Sequence, residues 1–96
     1  MAYNKLSNYR TTISTQDGLT SVIYARTPIV AFSAGSVTLR ADGWQTVTTK
    51  RKMNQASHQF GLGFGVYQKA GDWFVSKPDG ETVPFSEGLT FPRKLA

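Results

Sequence analysis

The chain has no cysteine among its 96 residues. This absence excludes disulfides, thiolate nucleophiles and thiolate metal sites, and it fits an intracellular protein. Acidic residues are also scarce, because six Asp and Glu stand against eleven Lys and Arg. The resulting net charge of +5 is typical of proteins that bind nucleic acid or another acidic surface.

Long apolar segments are missing as well. The longest runs, such as residues 28–32, are too short to cross a bilayer, and the first ten residues hold no signal-peptide core. We therefore expect no membrane partner. The length fits one domain over residues 1–96, whose ends at 1–7 and 87–96 are candidates for loose segments.

Few residues in the chain could support catalysis. Five of the six carboxylates adjoin a glycine, which is the usual pattern of turns in which a short acidic side chain bonds its own backbone. These five are Asp17, Asp42, Asp72, Asp79 and Glu87. His58 is the one histidine, and its place on the predicted helix indicates a solvated side chain. We expect no enzymatic activity, no metal and no cofactor.

The hydrophobic pattern predicts an α+β domain in the order ββββαβββ, a mainly antiparallel sheet of about seven short strands packed by one helix. The predicted strands cover residues 9–15, 19–26, 28–33, 36–41, 64–69, 72–77 and 81–85, and we expect the first two to form a hairpin across Asp17–Gly18. An apolar stripe at helical spacing predicts the helix over residues 48–60, with Thr46, Thr48 or Thr49 as its N-cap and Gly61 after its end. The stripe consists of Thr49, Met53, Ala56 and Phe60.

The start of this helix carries three consecutive cations, Lys50, Arg51 and Lys52. Since the helix dipole disfavours cations there, an external anion would explain them. We predict nucleic-acid contacts from Thr48, Thr49, Lys50, Arg51, Lys52, Asn54 and Gln55, with the two amides available for base edges. The alternative is a solvated polar face whose cations pair with acids from turns such as Asp42 or Asp79.

Aromatic residues offer a second element of nucleic-acid binding. Trp44 precedes the helix closely, and a two-residue turn at residues 70–71 would set Tyr67 opposite Phe74 on a strand face shared with Lys69. Unpaired bases could stack on these three aromatic rings. The alternative is that they belong to the core, as most aromatic residues of a small domain do.

The run from Gly43 to Phe85 resembles a family of short proteins encoded by tailed bacteriophages. The similarity lies in the segment GWQTVTTKRKMNQAS, a GLG hinge, a VYQK strand and a WFV strand, and the earlier TTI and DG motifs extend it towards the N-terminus. The resemblance implies a phage protein made in the cytoplasm of an infected bacterium. It implies no catalytic or binding residue.

These observations support a leading hypothesis and two alternatives. The leading hypothesis is a small non-enzymatic phage accessory protein that binds DNA or RNA through the basic start of its helix. The first alternative is an inhibitor or modulator that binds a host bacterial protein with the same face. The second is a minor virion or assembly component. A homo-oligomer is open in each case, since edge strands of a small open sheet can pair between subunits.

Overall fold

The computed structural model describes residues 10–43 and 46–93. The strands are β1 Thr11–Gln16, β2 Leu19–Tyr24, β3 Thr27–Phe32, β4 Ser36–Leu39, β5 Gly65–Lys69, β6 Asp72–Ser76, β7 Thr82–Pro84 and β8 Leu89–Pro92, and the helix α1 is Val47–Phe60. The α+β class and the order of the first seven strands and the helix are confirmed. The described part of the chain holds one strand more than the sequence pattern predicted.

The first sheet has the strand order β1-β2-β3-β4-β8 and is antiparallel throughout. The predicted hairpin at Asp17–Gly18 is confirmed, because Gln16 pairs with Leu19 and both turn residues have positive φ. Strand β8 lies beside β4, where Phe91 pairs with Val37 and is buried. Residues 89–92, which were expected to be loose, therefore belong to the first sheet, whereas residues 1–7 and 94–96 lie outside the described residues.

The second sheet contains β5, β6 and β7 in that order. Its β5–β6 register is the predicted one, with Tyr67 opposite Phe74 and Lys69 opposite Asp72. The turn residues Ala70 and Gly71 both have positive φ, as a two-residue hairpin of this twist requires. One face of this sheet belongs to the core, because Val66, Val75 and Trp73 are buried.

Helix α1 is capped at both ends by residues of its own sequence. At the N-terminus, the Thr46 hydroxyl accepts a hydrogen bond from the Thr49 amide at 3.2 Å. At the C-terminus, Gly61 adopts the left-handed conformation and its N–H donates to the Ser57 carbonyl. These caps confirm the predicted N-terminal threonine cap and the predicted C-terminal glycine.

One hydrophobic core joins the helix to both sheets. The predicted stripe of the helix is in it, since Met53 and Ala56 are fully buried and the Phe60 ring lies 4.9 Å from that of Phe32. The first sheet contributes residues such as Val30 and Leu39. The helix contacts β3 on one side and β5 on the other, so more than a narrow stripe of its surface is covered.

Candidate nucleic-acid interface

The first turn of α1 is a source of unpaired hydrogen-bond donors. Its N-cap, Thr46, binds the Thr49 amide through its side chain and the Lys50 amide through its carbonyl. The amides of Val47 and Thr48 have no acceptor among the described residues. No acidic residue occupies this turn, so the positive end of the helix dipole is not neutralised within the helix.

A cleft of about 380 Å³ opens beside this turn, and we call it the helix-start cleft. Its polar lining comes from Arg10, Tyr24, Thr27, Thr46, Thr48 and Thr49. Ile29 and Ala41 add an apolar part. Among the described residues that line the cleft, Arg10 is the one charged residue, and neither Lys50 nor Arg51 is part of the lining.

The hairpin side of the cleft is built around unusual backbone geometry. The β2–β3 turn consists of Ala25 and Arg26, and both have positive φ although neither is glycine. Arg10 also has positive φ, and its carbonyl accepts a hydrogen bond of 3.0 Å from the Ala25 amide. This bond ties the backbone of Arg10 to the rim of the helix-start cleft.

Two of the three predicted cations remain at the surface. Arg51 is exposed and Lys50 is half-buried. Neither forms an ion pair with a residue in 10–43 or 46–93, whereas Asp79 and Glu81 both pair with Lys77. The alternative interpretation of the sequence was that these cations pair with acids from turns. No such pair is present among the described residues.

Lys52, by contrast, is buried, with only 2% of its surface exposed. The side chain of Lys52 extends under Tyr24, and the Lys52 Nζ lies 5.4 Å from the centre of the tyrosine ring. This is the arrangement of a cation–π interaction. Burial lowers the pKa of the Lys52 ammonium. The prediction that Lys52 contacts phosphate directly is thus corrected. The Lys52 side chain instead packs against Tyr24, which lines the helix-start cleft.

The two amide residues of the motif are corrected as well. The Asn54 amide both donates to the Val66 carbonyl and accepts from the Val66 N–H, each at 2.8 Å, so its hydrogen bonds serve the edge of β5. Gln55 is only 7% exposed. Both were expected to be available for base edges, but Asn54 is bonded to the second sheet and Gln55 is buried. His58 is exposed, as predicted.

The predicted stacking residues do not assemble at the helix start. Tyr67 and Phe74 stack on each other with ring centroids 5.8 Å apart, on a face of the second sheet where Tyr67 is 43% exposed. Neither residue lines the helix-start cleft. Trp44 lies outside the described residues.

The sequence pattern missed the cleft residues that come from the hairpins, above all Arg10 and Tyr24. They stand far from the helix in sequence and carry no motif of their own. A weak signal existed in Ala25–Arg26, which separates two β-rich segments by two residues and so marks a tight turn. The proximity of that turn to the helix start depends on sheet packing, which local sequence does not encode.

The profile of one protein family, the Kyanoviridae Gp96 protein family, matches residues 1–92. The chain belongs to this family. The predicted relationship to tailed-phage proteins is thereby confirmed, and it extends over nearly the whole chain. No curated protein and no solved structure matches the chain. Among the described residues, no helix has the length and apolar character needed to cross a membrane.

Proposed function

We propose that this phage protein binds nucleic acid at the helix-start cleft, without catalysing a reaction, in the cytoplasm of the infected bacterium. The observation that carries the proposal is the combination of an acid-free helix start with a cationic cleft beside it. The helix amides of Val47 and Thr48 have no acceptor within residues 10–43 and 46–93, and phosphate oxygens are the acceptors that such a turn favours.

The residues divide into three roles in this proposal. Arg10, Lys50 and Arg51 supply charge to successive phosphates along a strand. Thr48 contributes its hydroxyl and its amide to one phosphate oxygen, while Thr49 is held by the N-cap and shapes the turn. Tyr24 offers a ring to a base or sugar at the mouth of the cleft, and Lys52 fixes that ring from behind.

The size of the cleft favours a single strand over a duplex. A volume of about 380 Å³ suits one nucleotide unit at the lower end of the range for small-ligand pockets. Contacts from three cations predict a salt dependence with a log–log slope of about −2 for a single strand, since each phosphate contributes about 0.7. Base identity is not read by Asn54, whose amide is already used by Val66.

The proposal is tested by fluorescence anisotropy of labelled single-stranded DNA, single-stranded RNA and duplex DNA over a salt series. We expect micromolar binding of single strands at low salt. The Lys50→Ala/Arg51→Ala variant should weaken binding at least about tenfold and reduce the salt slope by about 1.4, the share of two phosphate contacts. Circular dichroism verifies that the variant is folded.

A matched control is Lys69→Ala/Lys77→Ala, which removes the same formal charge from the second sheet. We expect it to bind nearly as well as the unaltered protein. Equal losses in both variants would show that net charge alone attracts the nucleic acid. A loss confined to the control would transfer the site to the face of Tyr67 and Phe74. No binding at low salt would overturn the proposal and favour a host-protein or virion role.

A further inference from the structure

Each sheet of this protein ends in two edge strands, and an exposed edge offers its backbone N–H and C=O groups to any other strand. The edges are β1 and β8 in the first sheet and β5 and β7 in the second. Proteins block such edges with prolines, short strands, charges or covering side chains. How each edge is treated therefore indicates which one is kept available for pairing.

Three of the four edges carry a blocking feature. Strand β5 is covered by the helix, where the Asn54 amide satisfies both backbone groups of Val66. Strand β7 is three residues long and ends in Pro84. Strand β8 ends in Pro92, which has no N–H to donate.

Strand β1 has none of these features. Its six residues, TTISTQ, include no proline, glycine or charged residue, and its ladder with β2 runs without a bulge. No described strand pairs with its other side. Residues 12–16 are exposed, and at 45% Ile13 is among the most exposed large apolar side chains that the structure describes. An uncharged, β-branched strand of this length is a favourable partner for another strand.

One hydrogen bond shows which residues of β1 direct their backbone N–H and C=O groups towards β2 and which direct them outward. The Ala25 amide donates to the Arg10 carbonyl, so this opposed pair is a hydrogen-bonded one. Such pairs alternate along an antiparallel ladder, which makes Thr12, Ser14 and Gln16 the residues bonded to β2. Ile13 and Thr15 consequently direct their N–H and C=O groups to the outer edge of the sheet.

Ile13 also continues an apolar row that crosses the whole first sheet. The row runs by direct pairing through Ile13, Val22, Val30, Leu39 and Leu89. Opposed residues share a sheet face, and Val22, Val30 and Leu39 are fully buried. Ile13 thus lies on the core face of the sheet, beyond the part that the core covers.

We propose that β1 pairs with β1 of a second copy of this chain, antiparallel about a two-fold axis at Ile13, to form one continuous ten-stranded sheet. A symmetric antiparallel pair places a residue opposite its own mate, and Ile13 is the outward-directed residue that joins the two apolar rows. Because β1 is uncharged, two copies that each carry a net charge of +5 can approach along this edge with the least repulsion.

The first test is sedimentation equilibrium over a concentration series, with the fold of each variant verified by circular dichroism. The unaltered protein should reach twice the chain mass of 10.6 kDa at micromolar concentration. Ile13→Lys places two like charges opposite each other and should weaken the dimer at least about tenfold. Leu19→Lys is the matched control, because Leu19 is equally exposed at 48% but lies on the inner strand β2, and its dimer should be unchanged.

The second test measures the register, and the cysteine-free chain makes it clean. Directly opposed hydrogen-bonded residues have Cα atoms about 5.5 Å apart, within disulfide range. Ile13→Cys should therefore form a disulfide-linked dimer on mild oxidation. In Thr12→Cys the two cysteines lie about 8 Å apart, so little cross-linking is expected.

Several outcomes would overturn the proposal. They are a protein that stays monomeric up to millimolar concentration, equal effects of the two lysine variants, and equal cross-linking of the two cysteine variants. Cross-linking of Ser14→Cys in place of Ile13→Cys would also overturn it, because the two-fold axis would then lie at Ser14. None of these results depends on whether the protein binds nucleic acid.

Discussion

Asn54 acts as a substitute for a neighbouring strand. Its amide matches the backbone of Val66 donor to acceptor and acceptor to donor, so an edge residue of β5 is satisfied as it would be inside a sheet. Ser57 also satisfies both backbone groups of one residue, because its hydroxyl donates to the Phe64 carbonyl and accepts from the Phe64 N–H. Single side chains of α1 therefore hold the second sheet against the helix.

The Asn54→Ala variant should lose about 2 kcal/mol of unfolding free energy, because two backbone groups of Val66 lose their partners. Urea denaturation measures the loss. His58→Ala lies one helical turn away on the exposed side and should change stability by less than about 0.5 kcal/mol. Similar losses in the two variants would contradict a special role of the Val66 bonds, because alanine raises the helix propensity at both positions.

The Glu87 side chain binds the backbone of the segment that follows β4, which is distant from Glu87 in sequence. Its carboxylate accepts from the amides of Ala41 and Asp42 at 2.9 and 3.0 Å, although its position before Gly88 predicted bonds within its own turn. Desolvation raises the pKa of this carboxyl, but the backbone donors and the charge of Arg40 outweigh it, so the net pKa lies below the ordinary 4.5.

The pH dependence follows from that direction. Glu87 contributes stability that is fully present above pH 4.5, the ordinary value, and is lost as the pH falls through the lower folded pKa. Glu87→Gln should be less stable than the unaltered protein at pH 7 by about 1 kcal/mol or less, since the side chain is exposed. Thermal unfolding over pH 7 to 2 should show the difference shrinking with acid. A difference that stays constant would contradict this linkage.

At the scale of elements, the turns and helix ends were the most predictable features. The Asp17–Gly18 hairpin, the Ala70–Gly71 hairpin and the Gly61 cap were read correctly because each depends on a few adjacent residues. Strand β8 was missed because Gly88 before it and Pro92 at its end resemble loop signals. Its pairing with β4 is decided by Phe91, which is buried between distant elements.

The helix cap gives a prediction at this scale. Gly61→Ala should cost about 1 kcal/mol, because Gly61 has a φ of 64° and an alanine there is strained even though no atom lies within 4 Å of the new Cβ. Gly35→Ala is the matched control, since its site is equally open and its φ is not positive. That variant should be neutral or slightly more stable in the same urea experiment. If Gly35→Ala lost as much unfolding free energy as Gly61→Ala, the positive φ of Gly61 would not explain the cost of its substitution.

Burial of the helix explains which of the predicted site residues stay near the surface and which do not. A single apolar stripe predicts one covered face, yet α1 lies against strands of both sheets. Lys52 and Gln55 are buried for that reason, while Lys50 and Arg51 stay nearer the solvent. The basic start of the helix could be read from the sequence, but the cleft beside it, with Arg10 and Tyr24, requires the packed fold.

The pairing of β4 with β8 has a consequence for how the chain folds. The hydrogen bond between the side chains of Thr38 and Thr90 links positions 52 residues apart, with the helix and the whole second sheet between them. During synthesis, β1 to β4 emerge first, and the edge of β4 stays without its neighbour until the last strand leaves the ribosome. The pairing of β8 with β4 is therefore a late, long-range contact, and contacts of this kind slow folding.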